Sequence, residues 1–274
     1  MTLIKFPRTR HLEGSRLQAD DLADDKSLID LRGQTLCVAE KLDGANCAVS
    51  FSANGALRLQ SRGHYLTGSP RERHFDLLKT WAATHAYRLR EALGHRYIMY
   101  GEWLYAKHTL FYDRLPHYFL EFDVLDRETG LFLDVEGRKV LLNGLPVMRA
   151  PIIHRGEIRS PSELEQLVRP SLFRSKNWRA ALKEAAEASK SRLDKVAEQT
   201  EQTDLAEGLY VKREADGMVA ERYKFVRGGF QQAIAASQGH WQDRPVLPNG
   251  LAEGVDIFAQ ALAVEGSYDD PSSS

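Results

Sequence analysis

The sequence predicts an α+β fold in which antiparallel strands form most of the core. Segments rich in β-branched and aromatic residues occur at Leu36–Val38, Ala45–Phe51, Leu57–Ser61, Tyr97–Leu104, Tyr118–Leu125, Gly208–Arg213 and Met218–Val226. Helical patterns separate these groups, at about Pro70–Leu93 and Pro161–Thr200. Because strands follow strands and helices stand between the groups, the order favours an α+β arrangement over a doubly wound one.

The boundaries of these elements carry their own signals. Ala53–Gly55 separates two strand segments and ends in glycine, as a hairpin turn favours. Ser69 precedes a proline at the start of the first helical stretch, and Gly94 follows its end. Apolar residues recur there at the spacing of one buried helix face, at Phe75, Leu78, Trp81, Leu89 and Leu93. A hairpin followed by an amphipathic helical layer is therefore expected.

Composition limits the class of protein. The 274 residues are 43% hydrophobic and 27% charged, which suffices for a buried core. Cys37 and Cys47 lie in apolar strand segments, so neither a disulfide framework nor a thiolate metal site is expected. No apolar run approaches the roughly 18 residues that span a bilayer, and we expect a cytoplasmic protein without a membrane partner. The net charge is −1, so any basic surface for nucleic acid is local, such as residues 169–192, which also suit a solvated helix face.

The densest chemical signal is the segment Glu40–Gly44, with the sequence EKLDG. Lys41 lies between two apolar strands, where partial desolvation would lower its pKa and make the amine a nucleophile. Asp43 could orient a metal, and Gly44 would let the backbone approach a phosphate closely. A surface turn with a Lys-Asp pair could have the same short sequence, so a functional interpretation of this segment needs support from elsewhere in the chain.

Further short motifs follow in order. They are Ser61–Gly63, Tyr100–Glu102, Glu121–Val124, Glu207–Lys212 and Arg222–Phe225. Together with Glu40–Gly44, the series resembles the nucleotidyltransferase motifs of ATP-dependent RNA and DNA ligases and of messenger-RNA capping enzymes, over about residues 36–226. The resemblance is closest to RNA ligases that seal nicks, and Lys5–Leu12 looks like the start of bacterial RNA-ligase-like proteins. No glycine loop of the P-loop or dinucleotide type is present in the sequence.

The resemblance implies a fold and a domain organisation. It implies an antiparallel two-sheet nucleotidyltransferase core, an ATP-grasp-like adenylylation domain, over residues 1–229, with the nucleotide between the sheets. A helical insertion is expected at about 161–200. Residues 230–274 are expected to form a short helical extension, with helix at Phe230–Ile234 and Ile257–Leu262, followed by a disordered tail. The residues after the last motif are too few for an appended OB-fold domain.

Roles carried over by the resemblance centre on Lys41. It would attack the α-phosphorus of ATP and become adenylylated, and Glu40 would belong to the same nucleotide pocket. Arg62 would lie near a phosphate or a polynucleotide end. Glu102 would accept hydrogen bonds from the ribose hydroxyls. Phe122 would stack on the adenine, although Phe119 competes for that role and aromatic residues in strands are usually core.

The remaining roles concern charge. Glu207 would help to hold Mg²⁺ or Mn²⁺, with Asp43 and Glu102 as further candidates, through water because Mg²⁺ gives up its hydration reluctantly. Lys212 and Lys224 would lie along the triphosphate and offset the charge of the transition state. Lys224 would also help to keep Lys41 deprotonated. Relatives often carry a second lysine where this chain has Arg222, which can still bind a phosphate with two hydrogen bonds.

The resemblance implies sealing of a 3′-hydroxyl to a 5′-phosphate in RNA, through lysyl-AMP and then RNA-adenylate, as in RNA repair. Lys107 and His108 would contact the 5′-phosphate, and a kinase or phosphatase that prepares RNA ends is a candidate partner. Three alternatives stay open: a minimal DNA ligase, a capping guanylyltransferase that uses GTP, and an inactive ligase-like binding module.

Overall fold

A computed structural model describes residues 3–17, 25–230 and 246–259, except for the side chains of Asp25 and Arg71. The strands are β1 (Arg10–Leu12), β2 (Asp25–Lys26), β3 (Leu36–Lys41), β4 (Ala45–Phe51), β5 (Leu57–Ser61), β6 (Tyr97–Trp103), β7 (Phe119–Asp126), β8 (Phe132–Leu133), β9 (Met148–Arg149), β10 (Ile152–Gly156), β11 (Gly208–Ala215) and β12 (Met218–Val226). The helices are α1 (Asp76–Thr84), α2 (Ala86–Leu93), α3 (Val135–Leu141), α4 (Pro161–Gln166), α5 (Trp178–Ala188) and α6 (Leu193–Glu198). Short 3-10 helices lie at Leu28–Leu31 and Pro70–Phe75.

All these strands belong to one hydrogen-bonded sheet. Its main path runs β10-β3-β11-β12-β8-β7-β6-β4-β5, and every neighbouring pair along it is antiparallel. Strand β1 adds to β12 and to β2, and β9 adds to β7, in parallel pairs. The prediction of a mixed fold dominated by antiparallel strands is confirmed.

The sheet has two halves that the short strand β8 connects. We call β10, β3, β11 and β12 the first half, and β7, β6, β4 and β5 the second half. Strand β8 pairs with β12 on one side and with β7 on the other, so hydrogen bonding joins what the sequence predicted as two separate sheets. A two-residue strand has no detectable periodicity, which is why the sequence did not reveal this connection.

Two side-chain contacts show that the halves face each other. The Tyr210 hydroxyl of β11 donates to Asp123 Oδ2 of β7 at 2.7 Å, and Lys212 Nζ of β11 donates to Asp123 Oδ1 at 2.7 Å. Strands β11 and β7 are three steps apart in the sheet, which in a flat sheet would separate them by roughly 14 Å. The sheet therefore curls, and the concave side between its halves is a cleft.

The outer surfaces of both halves are covered by apolar layers. Helices α1 and α2 pack on the second half, where Trp81 stacks on Phe119 with ring centroids 5.2 Å apart. The predicted helical stretch is thus confirmed, although it is divided at His85. Buried side chains of β3, β11 and β12 form a second cluster with Leu164 of α4. No helix in the residues described is both long and apolar enough to cross a membrane.

The insertion and the C-terminal segment pack together beside the core. The insertion holds three short helices, and Trp178 and Leu182 of α5 pack with Phe111 and Leu247. The helix expected at Phe230–Ile234 falls almost entirely outside the described residues. Of the other expected helix, Ile257–Leu262, the described part forms a turn, and residues 246–259 contain turns and isolated bridges.

Candidate active site

Strand alternation collects several predicted site residues on the concave face of the first half. Cross-strand partners point to the same face of a sheet. Lys41 pairs with Gly208, Tyr210 pairs with Lys224, and Lys212 pairs with Arg222. The intervening residues of these strands form the apolar cluster on the opposite face. The sequence therefore folds so that Lys41, Lys212, Arg222 and Lys224 share the cleft.

Lys41 forms an ion pair with Glu207 at the end of β3. Its Nζ lies 2.7 Å from Glu207 Oε1, and the lysine side chain is 25% exposed while that of Glu207 is 1% exposed. Burial favours the neutral amine, but the charges of Glu207, Glu102 and Asp43 outweigh it, so the pKa of Lys41 is raised above its ordinary value. This corrects the lowered pKa expected from the sequence, because strand position does not reveal the three carboxylates that surround the amine.

The carboxyl groups of Glu102 and Glu207 are both buried and both interact with the charge of Lys41. Burial raises the pKa of Glu102 to about 8 and that of Glu207 to about 7, and in both cases the charge of Lys41 opposes the rise. Lys224 also acts on Glu207, because its positive charge lowers the pKa of that carboxyl. Glu102 lies on β6 opposite Asn46 of β4, so it comes from the second half of the sheet.

Asp43 holds a loop by hydrogen bonds. Its Oδ2 accepts the backbone N–H groups of Thr109 at 2.7 Å and Leu110 at 2.6 Å, and its own N–H donates to the Tyr112 hydroxyl at 2.9 Å. Gly44 is needed for close packing, since a Cβ there would lie 2.7 Å from the Trp103 carbonyl oxygen. This close approach at Gly44 is to protein atoms, and the approach to a phosphate that the sequence suggested stays a prediction.

Glu40 connects β3 to the segment around Ser171 by hydrogen bonds. Its carboxylate accepts hydrogen bonds from the Ser171 hydroxyl at 2.5 Å and the Leu172 N–H at 3.0 Å. Burial raises the pKa of Glu40 to about 7, and these two hydrogen bonds oppose the rise. Its side chain is therefore engaged with the start of the insertion.

The two aromatic candidates for base stacking occupy different environments. Phe119 is fully buried against Trp81, whereas Phe122 is half-buried and lines a small opening with Ala39, Ile152 and Tyr210. Phe122 is the extra residue of a β-bulge, because Tyr100 pairs with Asp123 and the next residue, Gly101, pairs with Glu121. Bulges re-aim side chains beside functional sites. Phe122 is thus the ring that the cleft presents.

The cationic residues of the last motifs lie at different depths. Lys212 is buried and bonded to Asp123 and to the Phe122 carbonyl, and burial lowers its pKa. The Arg222 guanidinium lies 3.7 Å from the centroid of the Phe132 ring and 3.8 Å from Asp123 Oδ2. Lys224 is half-buried on the same face. Only part of this positive charge is directed at the open part of the cleft.

The candidates for binding a polynucleotide end are more peripheral. Arg62 is exposed directly after β5. Lys107 Nζ donates to the carbonyl oxygens of His108 at 2.9 Å and Gln199 at 2.7 Å, so its ammonium holds the loop to the insertion. Burial lowers the pKa of His108, with Asp43 opposing. The structure does not bring Arg62 and Lys107 into contact with Lys41.

The candidate metal ligands do not converge on a preformed site. Asp43, Glu102 and Glu207 act on one another's charge, but no group of three or more His, Cys, Asp or Glu side chains within residues 3–17, 25–230 and 246–259 could hold a metal ion. Both carboxylate oxygens of Glu207 are nevertheless buried without a hydrogen bond of good geometry, their close contact being the ion pair with Lys41. Glu207 therefore retains capacity for a cation.

Comparison with known families identifies the chain. Residues 34–226, well over half of the sequence, match the family model described as RNA ligase. The chain belongs to the RNA ligase family. No curated protein sequence matches it.

Similar solved structures include RNA ligase of Naegleria gruberi. A mutant with ATP and Mn has a TM-score of 0.49 and 18% identity, with 80% of this chain and 59% of that chain covered. The same ligase with PPi has a TM-score of 0.48 and 19% identity, with 83% and 61% covered. This RNA ligase family member thus spans about three fifths of the length of those chains.

Some residues of the cleft were not singled out from the sequence. Arg138 of α3 donates to both oxygens of Glu121, at 2.9 and 3.0 Å, and to the Phe122 carbonyl at 2.8 Å. Asp123 and Tyr210 lie inside motifs that the sequence showed, but their contact across the cleft is long-range. Arg138 lies outside every motif. It was not singled out because its position beside Phe122 follows from the packing of distant segments.

Proposed function

We propose that this RNA ligase family member is an ATP-dependent RNA ligase that joins 3′-hydroxyl and 5′-phosphate ends through lysyl-AMP and polynucleotide-adenylate intermediates, in RNA repair. The observation that carries the proposal is the position of Lys41. It lies at the end of β3, beside the buried carboxylate of Glu207 and on the face that Lys212, Arg222 and Lys224 share. A nucleophilic amine among carboxylates and phosphate-binding cations suits nucleotidyl transfer.

The first chemical step requires a neutral amine at Lys41. In the ligand-free protein Glu207 contacts the ammonium and favours its protonated form, so the proton would leave Lys41 for solvent once that contact is broken. After the proton leaves, Lys41 Nζ attacks the α-phosphorus of ATP. A phosphorus–nitrogen bond forms, the bond from the α-phosphorus to the bridging oxygen breaks, and pyrophosphate leaves with that electron pair.

The remaining cleft residues would bind the nucleotide. Phe122 offers a half-exposed ring for the adenine, and Glu102 would accept hydrogen bonds from the ribose hydroxyls. Lys224 and Arg222 would lie along the phosphates from the first half of the sheet. Lys212 would contribute its charge from a buried position without contacting the phosphates, since Asp123 and the Phe122 carbonyl hold its ammonium. Glu40 would act indirectly, because its hydrogen bonds hold β3, and therefore Lys41, in position.

A divalent cation, Mg²⁺ or Mn²⁺, would be held at the carboxylates of this cleft through water, since the described residues contain no preformed group of ligands. We assign its binding first to Glu207, whose oxygens are buried and lack hydrogen bonds of good geometry, with Glu102 beside it and Asp43 farther from the reacting atoms. When bound, such an ion supplies positive charge that stabilises the leaving pyrophosphate. Glu207 would exchange its contact with Lys41 for the cation, and this would weaken the interaction that raises the pKa of the lysine.

The substrate assignment rests on family membership. A polynucleotide would reach the cleft beside the exposed Arg62, with its backbone against basic side chains such as those of the insertion, and this contact would weaken with salt. Ends with a 3′-hydroxyl and a 5′-phosphate are the products of end-healing kinases and phosphatases, which are the partners this activity would need.

The proposal is tested by incubating the protein with α-labelled ATP or GTP and Mg²⁺, followed by denaturing electrophoresis. Wild type and Lys183→Ala, a variant of an exposed lysine, should acquire label from ATP, and Lys41→Ala should not. The labelled protein is then given nicked duplexes with RNA or DNA at the nick. Transfer of label to RNA and sealing of the nick support the proposal. Label from GTP, preferential sealing of DNA, or no label on the wild type would overturn it.

A further inference from the structure

Asn249 lies buried where the C-terminal segment meets the residues between β6 and β7. It belongs to residues 246–259, outside the part of the chain that matches the RNA ligase family model. Its side-chain amide donates from Nδ2 to the Leu104 carbonyl at 2.7 Å and accepts at Oδ1 from the Tyr112 N–H at 2.9 Å. Its backbone N–H donates to the Tyr105 carbonyl at 2.8 Å, and its carbonyl accepts from the Tyr118 hydroxyl at 3.0 Å. All four hydrogen bonds go to the segment between β6 and β7.

This β6–β7 loop, residues 104–118, depends on the C-terminal segment for its conformation. The loop contains no helix and no named strand. Isolated bridges join Ala106 to Pro248 and Leu115 to Leu251, on either side of Asn249. An irregular loop of this length needs hydrogen-bond partners for its buried backbone groups, and residues 247–251 supply several of them.

The same loop holds the segment that follows Lys41. The N–H groups of Thr109 and Leu110 bind the Asp43 carboxylate, and the Tyr112 hydroxyl accepts the Asp43 N–H. The Tyr112 hydroxyl thus accepts a hydrogen bond from the Asp43 N–H, and the Tyr112 N–H donates one to the Asn249 side chain. Asp43 is two residues after Lys41 and contributes to the charge around its amine. An unbroken series of hydrogen bonds runs from Asn249 to this segment.

We propose that Asn249 is a positioning residue for nucleotidyl transfer at Lys41, and that it acts by fixing the β6–β7 loop against Asp43. The side-chain amide suits this role because one group must donate to Leu104 and accept from Tyr112 at the same time. The inference rests on the proposed function, because its kinetic effect is defined only if Lys41 is adenylylated. Its structural effect, on the amides that bind Asp43, can be measured without any nucleotide.

The experiment compares full-length wild type, Asn249→Ala, Tyr112→Phe and the double variant, with Asn143→Ala as a control at an exposed asparagine. Single-turnover labelling of Lys41 by ATP gives a rate constant, an amplitude and a half-saturating ATP concentration. Amide hydrogen exchange of the ligand-free proteins reports on Thr109 and Leu110. Tyr112→Phe removes only the hydroxyl that binds Asp43, so it tests the same connection without altering the C-terminal segment.

A positioning role predicts that Asn249→Ala slows labelling by about ten- to a hundred-fold, as small displacements of reacting groups do. The amplitude and the half-saturating ATP concentration should change little, and exchange at Thr109 and Leu110 should accelerate. The double variant should be less impaired than the product of the single effects predicts, because both changes act on one connection. Asn143→Ala should match wild type.

Three results would overturn the inference while wild type is labelled normally. One is an unchanged rate constant in Asn249→Ala. Another is a loss of amplitude with an unchanged rate constant, which indicates fewer folded molecules. The third is a slower rate with unchanged exchange at Thr109 and Leu110 and fully multiplicative effects. If wild type itself acquires no label, the proposed function fails, and exchange at Thr109 and Leu110 alone then decides whether Asn249 fixes the loop.

Discussion

Replacement of Glu207 by glutamine should lower the pKa of Lys41 in the ligand-free protein. The change removes one charge and keeps the size of the side chain, 2.7 Å from the lysine amine. At that distance two unit charges attract by about 6 kcal/mol with an effective dielectric constant of about 20. The lysine side chain is 25% exposed. We therefore count about half of this attraction, roughly 3 kcal/mol, as the interaction that the substitution removes and that now keeps the pKa of Lys41 raised.

The assay is competitive acetylation of Lys41 by acetic anhydride over a range of pH, with the modified peptide quantified by mass spectrometry. Only the neutral amine reacts, so the pH midpoint gives the lysine pKa. Glu207→Gln should move the midpoint downward, and Glu187→Gln, which alters an exposed carboxylate, should leave it in place. A midpoint in Glu207→Gln that equals that of wild type would show that Glu207 does not hold the proton on Lys41.

Three further predictions concern other residues of the cleft and the cation. The pKa of Glu102 in the folded protein, about 8, lies above the ordinary value of 4.5, so its stability contribution is complete below pH 4.5 and is lost as pH rises from there to 8. Thermal melts should therefore show Glu102→Gln gaining about 4 kcal/mol relative to wild type between pH 5 and pH 9, and an equal effect at both would refute this. Phe122→Ala should raise the half-saturating ATP concentration roughly tenfold with little change in melting temperature, whereas Phe119→Ala should cost about 3 to 5 kcal/mol of stability; the reverse pattern would exchange their roles. Chelation of divalent cations should abolish labelling by ATP, addition of Mg²⁺ or Mn²⁺ should restore it, and labelling that persists in chelator would contradict the need for a cation.

Local sequence patterns predicted the longer strands of this fold and its first helical layer, but not β10 or α3. Strands β4 and β5 match their predicted bounds, and β12 does as well, because each is long enough to show apolar residues of strand type between turn signals. The first helical stretch was found for the same reason. Strands of two residues, such as β8 and β9, were missed because they exist only through their neighbours. Because β8 was missed, the sequence did not show that the two halves of the sheet are connected.

The candidate site was predictable only as far as motifs are local. The sequence drew attention to Lys41 and Glu207, which the structure places in contact. It could not show that the Asp43 carboxylate is bound by Thr109 and Leu110, since those groups are 66 and 67 positions away. The direction of the Lys41 pKa was wrong for the same reason, because it depends on the carboxylates of Glu102 and Glu207, which two distant segments bring to Lys41.

The central claim is that Lys41 becomes covalently adenylylated. The direct measurement is peptide mass spectrometry of the wild-type protein after incubation with ATP and Mg²⁺, under conditions that preserve phosphorus–nitrogen bonds. We predict one AMP on the peptide that contains Lys41, and loss of that modification when pyrophosphate is added in excess. AMP on a different residue, or no AMP on a folded protein that binds ATP, would contradict this account.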